Sequence, residues 1–458
     1  MSTETEPAPS FRRAVVLMTA TSFLVPAAGV VTAPVLARAL DVAGRGELSA
    51  ALAPATLMLA VATLGLPDAL TYHVAKHPGI ARPAVLWAGL ATGVLGMLCT
   101  LSVWAALPFL SAGDPRLGEL ILLATVLTLP ALVVGVFRGA ATGRQMWGAV
   151  AVERLVNSSL RVVLLGGLWL AGELTVFVAV LVSTLTPVVA GLSYWRLLTR
   201  PPTEDPAPPS GRRTARTLLS FGGRVWLGSV ASMLLARFGF LFMAPLSSVE
   251  DLGLYTVAST VSDLPLVVAL AIQGTLYGVD SRSRDAGRLT ATSRVTLLVG
   301  LLGCVVLGAT LPLWIGPLFG EEFTAATVPT IMLLGSALIC IPGLMAAAGV
   351  AAWGRPGLRS AGLAVALVAS ASTFLLLVPV LGVYGACWSS IATNVVLTGF
   401  MVTAASRVLG VRATDFLVPR VADARLAVAE GARLVRRLRP GRRRAGVVAA
   451  PPGRQEQR

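Results

Sequence analysis

The sequence predicts an all-α integral membrane protein: about twelve transmembrane helices in two pseudo-symmetric six-helix lobes. Three observations predict it. Of 458 residues, 55% are hydrophobic and only 13% charged, with mean hydropathy +0.79, whereas an ordinary soluble chain is about 25% charged. The apolar residues come in blocks long enough to cross a bilayer as helices, a length of about 18–25 residues. The basic residues that punctuate those blocks fall mostly on alternate turns.

The blocks place spans at roughly 14–37, 48–67, 84–107, 118–137, 155–171, 174–195, 218–243, 252–277, 295–317, 327–349, 359–379 and 385–406. Gly and Pro occur inside them, which membrane helices tolerate better than soluble ones. Met1–Ser10 is acidic and Pro-rich, Arg12 and Arg13 follow, and the apolar run continues to Arg38 without a cleavage site of the signal-peptide type. Residues 200–217 are rich in Pro and charge and read as a linker between the halves. The domain reading is therefore a short N-terminus (1–13), an N-lobe (14–199), the linker (200–217), a C-lobe (218–408) and a basic tail (409–458).

Charge sets the orientation. With the N-terminus inside, nearly all of the 37 basic residues fall in cytoplasmic segments, leaving Arg38, Arg45 and Arg116 outside and Arg224 and Arg237 within a span. This is the positive-inside bias, and it places both termini in the cytoplasm. Trp104, Trp169 and Trp314 mark outer ends; Tyr72, Trp195, Tyr277 and Trp353 mark inner ends. The tail from Arg407 reads either as an amphipathic helix on anionic lipid, with a stripe from Val421 to Leu438, or as a solvated basic end.

The halves repeat weakly, as either an internal duplication or chance similarity in Ala/Gly-rich sequence. At an offset of 211, Ala140, Ala141, Gly143 and Arg144 match Ala351, Ala352, Gly354 and Arg355; at 207, Gly46–Leu48 and Gly253–Tyr255 occupy the same place, just after the first outside turn of each half. Six spans return each half to the same side, so the repeat is parallel and a pseudo-two-fold along the membrane normal follows.

Composition also excludes functions. A net charge of +15 invites a nucleic-acid reading, but the arginines lie between apolar blocks and not on a polar domain. Cys99, Cys304, Cys340 and Cys387 fall within apolar blocks and suggest no disulfide framework. His73 and His77 stand four apart, with no Cys or carboxylate ligand beside them, so no metal is expected. No Gly-rich phosphate loop follows a strand, and no outside loop could carry a catalytic constellation. The reading is a non-enzyme without a cofactor.

The informative residues are charges at membrane depth. Each costs about 2.5–3.5 kcal/mol at a helix centre, so each should face a cavity or a partner. Arg224 and Arg237 lie in the seventh span and Asp263 in the eighth; the last two are at similar depth, as either a structural ion pair or cavity-lining groups. Arg154, Asn157, Ser158 and Arg161 recur at i, i+3, i+4 and i+7, one face of the fifth helix. That face either lines a vestibule that greets an anion or lets its arginines snorkel to the interface.

Pro34–Leu48 (PVLARALDVAGRGEL), Gly65–Tyr72 (GLPDALTY), Phe319–Phe323 (FGEEF), Gly354–Gly357 (GRPG) and Val378–Ala386 (VPVLGVYGA) resemble the bacterial Wzx-type polysaccharide and O-antigen flippases. These belong to the superfamily of multidrug, oligosaccharidyl-lipid and polysaccharide exporters. The resemblance spans about 14–406. It implies a MATE-like fold, with two six-helix lobes around a central cavity, that alternates access and moves an undecaprenyl-pyrophosphate-linked oligosaccharide from the inner to the outer leaflet. It also implies partners in the same pathway, glycosyltransferases or a polymerase. Two departures stand out: many such proteins have Gly where Asp41 stands, and many have an Arg-x-Asp pattern where Arg237 is followed by Phe238 and Gly239. A multidrug or metabolite exporter is the alternative; a membrane polymerase or ligase fits less well. The first span carries no carboxylate of the kind that couples many multidrug exporters to an ion.

Overall fold

The computed structural model describes residues 21, 24–77, 79, 81–195, 211–283 and 285–420. Side chains at 25, 211–225, 227–229 and 274–283 fall outside that description, Arg224 among them; so do the N-terminus, most of the linker and the tail from 421. Among the described residues the chain is helical throughout, without strands: α1 Leu24–Val61, α2 Leu66–Lys76, α3 Ala81–Leu110, α4 Pro115–Gly143, α5 Trp147–Leu170, α6 Val176–Gly191, α7 Gly211–Leu246, α8 Val249–Ser283, α9 Ala286–Phe319, α10 Thr327–Ala352, α11 Pro356–Leu381, α12 Val383–Leu409 and the single turn α13 Thr414–Leu417.

Nine of these helical stretches are long and apolar enough to cross a membrane. The first, Pro26–Lys76, holds two spans; α7 adds the shorter apolar stretch Val230–Leu246, and α5 brings the helices of the bundle to twelve. The protein is a multi-pass membrane protein.

Two spans differ in detail from the sequence reading. Between the first and second no loop intervenes. The chain reverses at Asp41, whose φ of 57° and ψ of −174° lie outside the helical region. A positive φ favours Gly, so Asp41 holds a conformation that is strained for a residue with a side chain. The second span is broken: α1 ends at Val61, a turn with Leu64 and Gly65 at positive φ follows, and α2 restarts with Pro67 in its first turn. The freed Val61 carbonyl accepts the Trp226 indole N–H at 2.9 Å, so the break leaves it satisfied. Elsewhere short caps suffice. Asp114 accepts from the Arg116 amide at 2.9 Å, and Asp285 from the Arg288 amide at 3.0 Å, each filling a donor that a helix start leaves open.

The turns divide between two ends of the bundle. One holds Lys76, Arg144 and Gly354; the other holds Gly113, Gly172, Gly320 and Gly382. At the Gly382 end the halves share an apolar core that joins Leu36, Leu117, Ile121 and Val180 to Met243, Leu252, Val378 and Ala386. A second cluster joins Ala33 and Ala37 to Val257, Leu311 and Phe323. Toward the Lys76 end, each cluster among the described residues belongs to one half: Leu70, Val74 and Ala84 in the first, Leu289, Met345 and Phe416 in the second. On one flank α7 runs beside α2 and α3.

Where the halves cross, the 207 offset acquires a meaning. A Cβ on Gly46 would sit 1.7 Å from the Val249 carbonyl oxygen, and one on Gly253 would sit 2.1 Å from that of Val42. Thr256 Oγ1 donates to Ser49 Oγ at 2.9 Å. The pairs 42/249, 46/253 and 49/256 are register mates, and mates that touch reciprocally lie on the axis relating them. Only glycine lets two backbones approach so closely. Arg38 adds a second link, capping the end of α9 through the Leu318 carbonyl at 3.1 Å and through that of Pro317.

Candidate functional site

Below the shared core, the halves enclose a cavity of about 1170 Å³, larger than the roughly 300–1,000 Å³ of ordinary small-ligand pockets. It runs from Leu36 and Arg45 toward Thr142 and Leu270 near the Lys76 end. Five arginines line it against two aspartates: Arg45, Arg138, Arg154, Arg161 and Arg237, with Asp68 and Asp263. Four of the five arginines come from the first half.

These four form a ladder. At 1.5 Å per residue, Arg138 lies roughly 7 Å from the Lys76-end terminus of α4, Arg154 roughly 10 Å and Arg161 roughly 21 Å into α5. Arg45 lies about 6 Å below the Asp41 reversal, closest to the shared core. Arg161 and Arg45 are the deepest and are near enough to repel one another. The Nε of each is buried and has no hydrogen-bond partner. Two such groups on the wall of one cavity favour an anion there, since planar guanidinium donors bind phosphate or carboxylate oxygens in pairs.

Of the sequence-predicted residues, Arg154, Arg161, Arg237 and Asp263 all face the cavity. Asn157 does not: neither it nor Ser158 lines the cavity, and Asn157 Oδ1 and Ser158 Oγ are buried without partners. The cavity-facing stripe of α5 is thus the i, i+7 pair alone. Arg224 lies on the α7 backbone, with its side chain outside the described part. Arg237 and Asp263 feel each other's charge without an ion-pair contact, and the Arg237 guanidinium lies over the Phe240 ring, 5.5 Å from its centroid. Asp263 is exposed although deep in the bundle, because its exposure is to the cavity.

Arg45 and Arg138 are the residues that sequence reasoning missed. Arg45 reads as an outside-loop residue only if a loop separates the first two spans; with the reversal confined to Asp41, it falls one turn inside a helix. Among the described residues, no group of three or more His, Cys, Asp or Glu could hold a metal.

This architecture has known counterparts. The family model for polysaccharide biosynthesis proteins matches residues 11–282, more than half of the chain. The chain belongs to the polysaccharide biosynthesis protein family. No curated protein sequence matches it. Among solved structures, the lipid II flippase MurJ in an inward closed conformation superposes with a TM-score of 0.69 at 10% identity, over 92% of each chain. An inward-facing multidrug resistance MATE family transporter of the MOP superfamily gives 0.64 at 16% identity, over 88% of this chain and 100% of that one. A MOP superfamily transporter from Pyrococcus furiosus, with a binding pocket of reversed polarity, gives 0.57 at 16% identity, over 86% and 93%. These likenesses establish the fold: this family member has the two-lobed helical architecture of MATE transporters and MurJ.

Proposed function

We propose that this protein is a flippase that carries an undecaprenyl-pyrophosphate-linked oligosaccharide from the cytoplasmic to the outer leaflet of a bacterial plasma membrane, for polysaccharide or glycoconjugate assembly. The observation that carries the reading is the pair of deep, unpartnered arginines, Arg45 and Arg161. Cations held at membrane depth without counter-ions are expensive; a diphosphate supplies the missing charge. Arg154 stands nearer the cavity mouth as an earlier contact, and Arg224, Arg237 and Asp263 are the second half's candidates for the glycan side.

The positive-inside rule makes the Lys76 end cytoplasmic. The cavity is then closed outward by the shared core, and the cargo enters from the leaflet where it is made. With a negative interior, moving each charge across the full field releases about 2.3 kcal/mol per 100 mV, so a diphosphate is driven outward without a coupled ion. Glycosyltransferases or a polymerase of the same pathway are the expected partners. A cation-exporting drug transporter is the poorer reading, because five arginines against two aspartates repel a cation.

The test is twofold. Deletion should make a lipid-linked glycan accumulate in the inner leaflet. Purified protein should bind farnesyl diphosphate, and Arg45→Gln or Arg161→Gln should each weaken binding by about 10- to 100-fold, the loss of a charge-assisted bond of about 1.5–3 kcal/mol. Unaltered affinity in the double variant sinks the reading.

A further inference from the structure

Arg138 differs from the two deeper arginines in having a counter-ion. Its Nε donates to Glu153 Oε2 at 3.2 Å and its Nη2 to Glu153 Oε1 at 2.8 Å. Glu153 is 1% exposed, and Tyr194, equally buried, donates its hydroxyl to Oε2 at 3.3 Å. Both carboxylate oxygens are therefore engaged. The two-pronged contact fixes the plane of the guanidinium, while 42% of the Arg138 side chain stays open on the cavity wall.

The six-helix lobe does not need this arrangement to fold. At the 211 offset the second half carries Gly349 in place of Arg138 and Ala364 in place of Glu153, in the helices that hold the corresponding places in chain order. A buried carboxylate is costly to keep, so its presence in one half only points to the cavity it serves.

A path that moves an anion inward must not hold it at the mouth. Binding has to be firm enough for entry and weak enough for departure, as in channels. Along this wall, the arginine nearest the mouth is compensated and the two deepest are not. We propose that Glu153, held by Tyr194, is a positioning residue that fixes Arg138 at the cavity wall and offsets its charge, so that an entering diphosphate passes on to Arg161 and Arg45. The inference rests on the reading of the cavity as a diphosphate site.

The test uses the full-length purified protein with farnesyl diphosphate as probe. Glu153→Gln keeps the shape and removes the charge. Binding should become about tenfold tighter as Arg138 regains its full charge, while polymer export in cells falls. Tyr194→Phe, which removes one hydrogen bond, should shift both readouts the same way by less, and it serves should Glu153→Gln fail to fold. In an Arg138→Gln background, Glu153→Gln should no longer change affinity, the signature of coupled residues. A purely structural role gives another pattern: lower thermal stability with affinity unchanged in both single variants, and that result overturns the inference while leaving the diphosphate site standing. Failure of the unsubstituted protein to bind the probe overturns both.

Discussion

Replacing Gly46 with alanine sets a methyl group 1.7 Å from the carbonyl oxygen of Val249. Side-chain carbons do not come within 3.0 Å of such an atom, so α1 and α8 must part at the crossing. The atom met is backbone, and no rotamer change relieves it. Overpacking of this kind costs about 1–3 kcal/mol, sometimes more. The cost falls on the state in which the halves touch here, and separation of the halves at the Gly382 end would relieve it. The substitution should therefore shift the balance between closed and parted states by about 5- to 150-fold toward the parted one. Spin labels at Glu173 and Glu250, both exposed and on opposite halves at that end, report the change as a longer distance distribution. Gly253→Ala meets the Val42 carbonyl at 2.1 Å and should act alike. Unchanged distances in both variants, at unchanged thermal stability, would refute the idea that the crossing holds the Gly382 end shut.

Other expectations follow from the same structure. Cysteines at Ser49 and Thr256, whose hydroxyls are 2.9 Å apart, should form a disulfide that arrests export until reductant is added; export by the oxidised protein would show that the crossing need not open. Asp41→Gly should raise thermal stability, since relief of a positive φ is worth about 1 kcal/mol; a fall in melting temperature would count against strain there. Arg38→Gln removes the cap on α9 and should cost about 1–2 kcal/mol, read as a lower melting temperature and a longer distance between the two labels. Phe416 is fully buried among α9, α10 and α12; Phe416→Ala should release α13, at a cost of about 3–5 kcal/mol, and speed proteolysis at the neighbouring Arg420.

The spans were legible because a bilayer imposes one length and one polarity on each, and because arginines end most of them. What composition could not convey was the distance the chain takes to turn round. Gly44, Arg45 and Gly46 have the look of a loop, yet the reversal uses one residue, so a cation counted as outside lines the cavity. The break in the second span had a local signal in Gly65 and Pro67, which marks a helix ending as readily as one restarting. The α5 stripe was legible by periodicity but came out too wide: helical spacing gives a face, and only the neighbouring helices decide which part of it meets the cavity. Asn157 fell on the wrong side of that line. The pairing of Arg138 with Glu153 spans the turn between two helices, where no periodicity speaks.

The crossing of α1 and α8 makes, within one chain, the contacts of a two-fold homodimer. A half-length ancestor would have offered the positions of Val42, Gly46 and Ser49 to a second copy of itself, and each mutation there would have struck the interface twice. Gene duplication and fusion remove that constraint. One copy can then change while the other keeps the join. The arginines record this freedom: the mates of Arg154 and Arg161 at the 211 offset are Val365 and Ser372, and the mate of Arg45 at 207 is Leu252. The seam has stayed self-complementary while the cavity beside it has become one-sided.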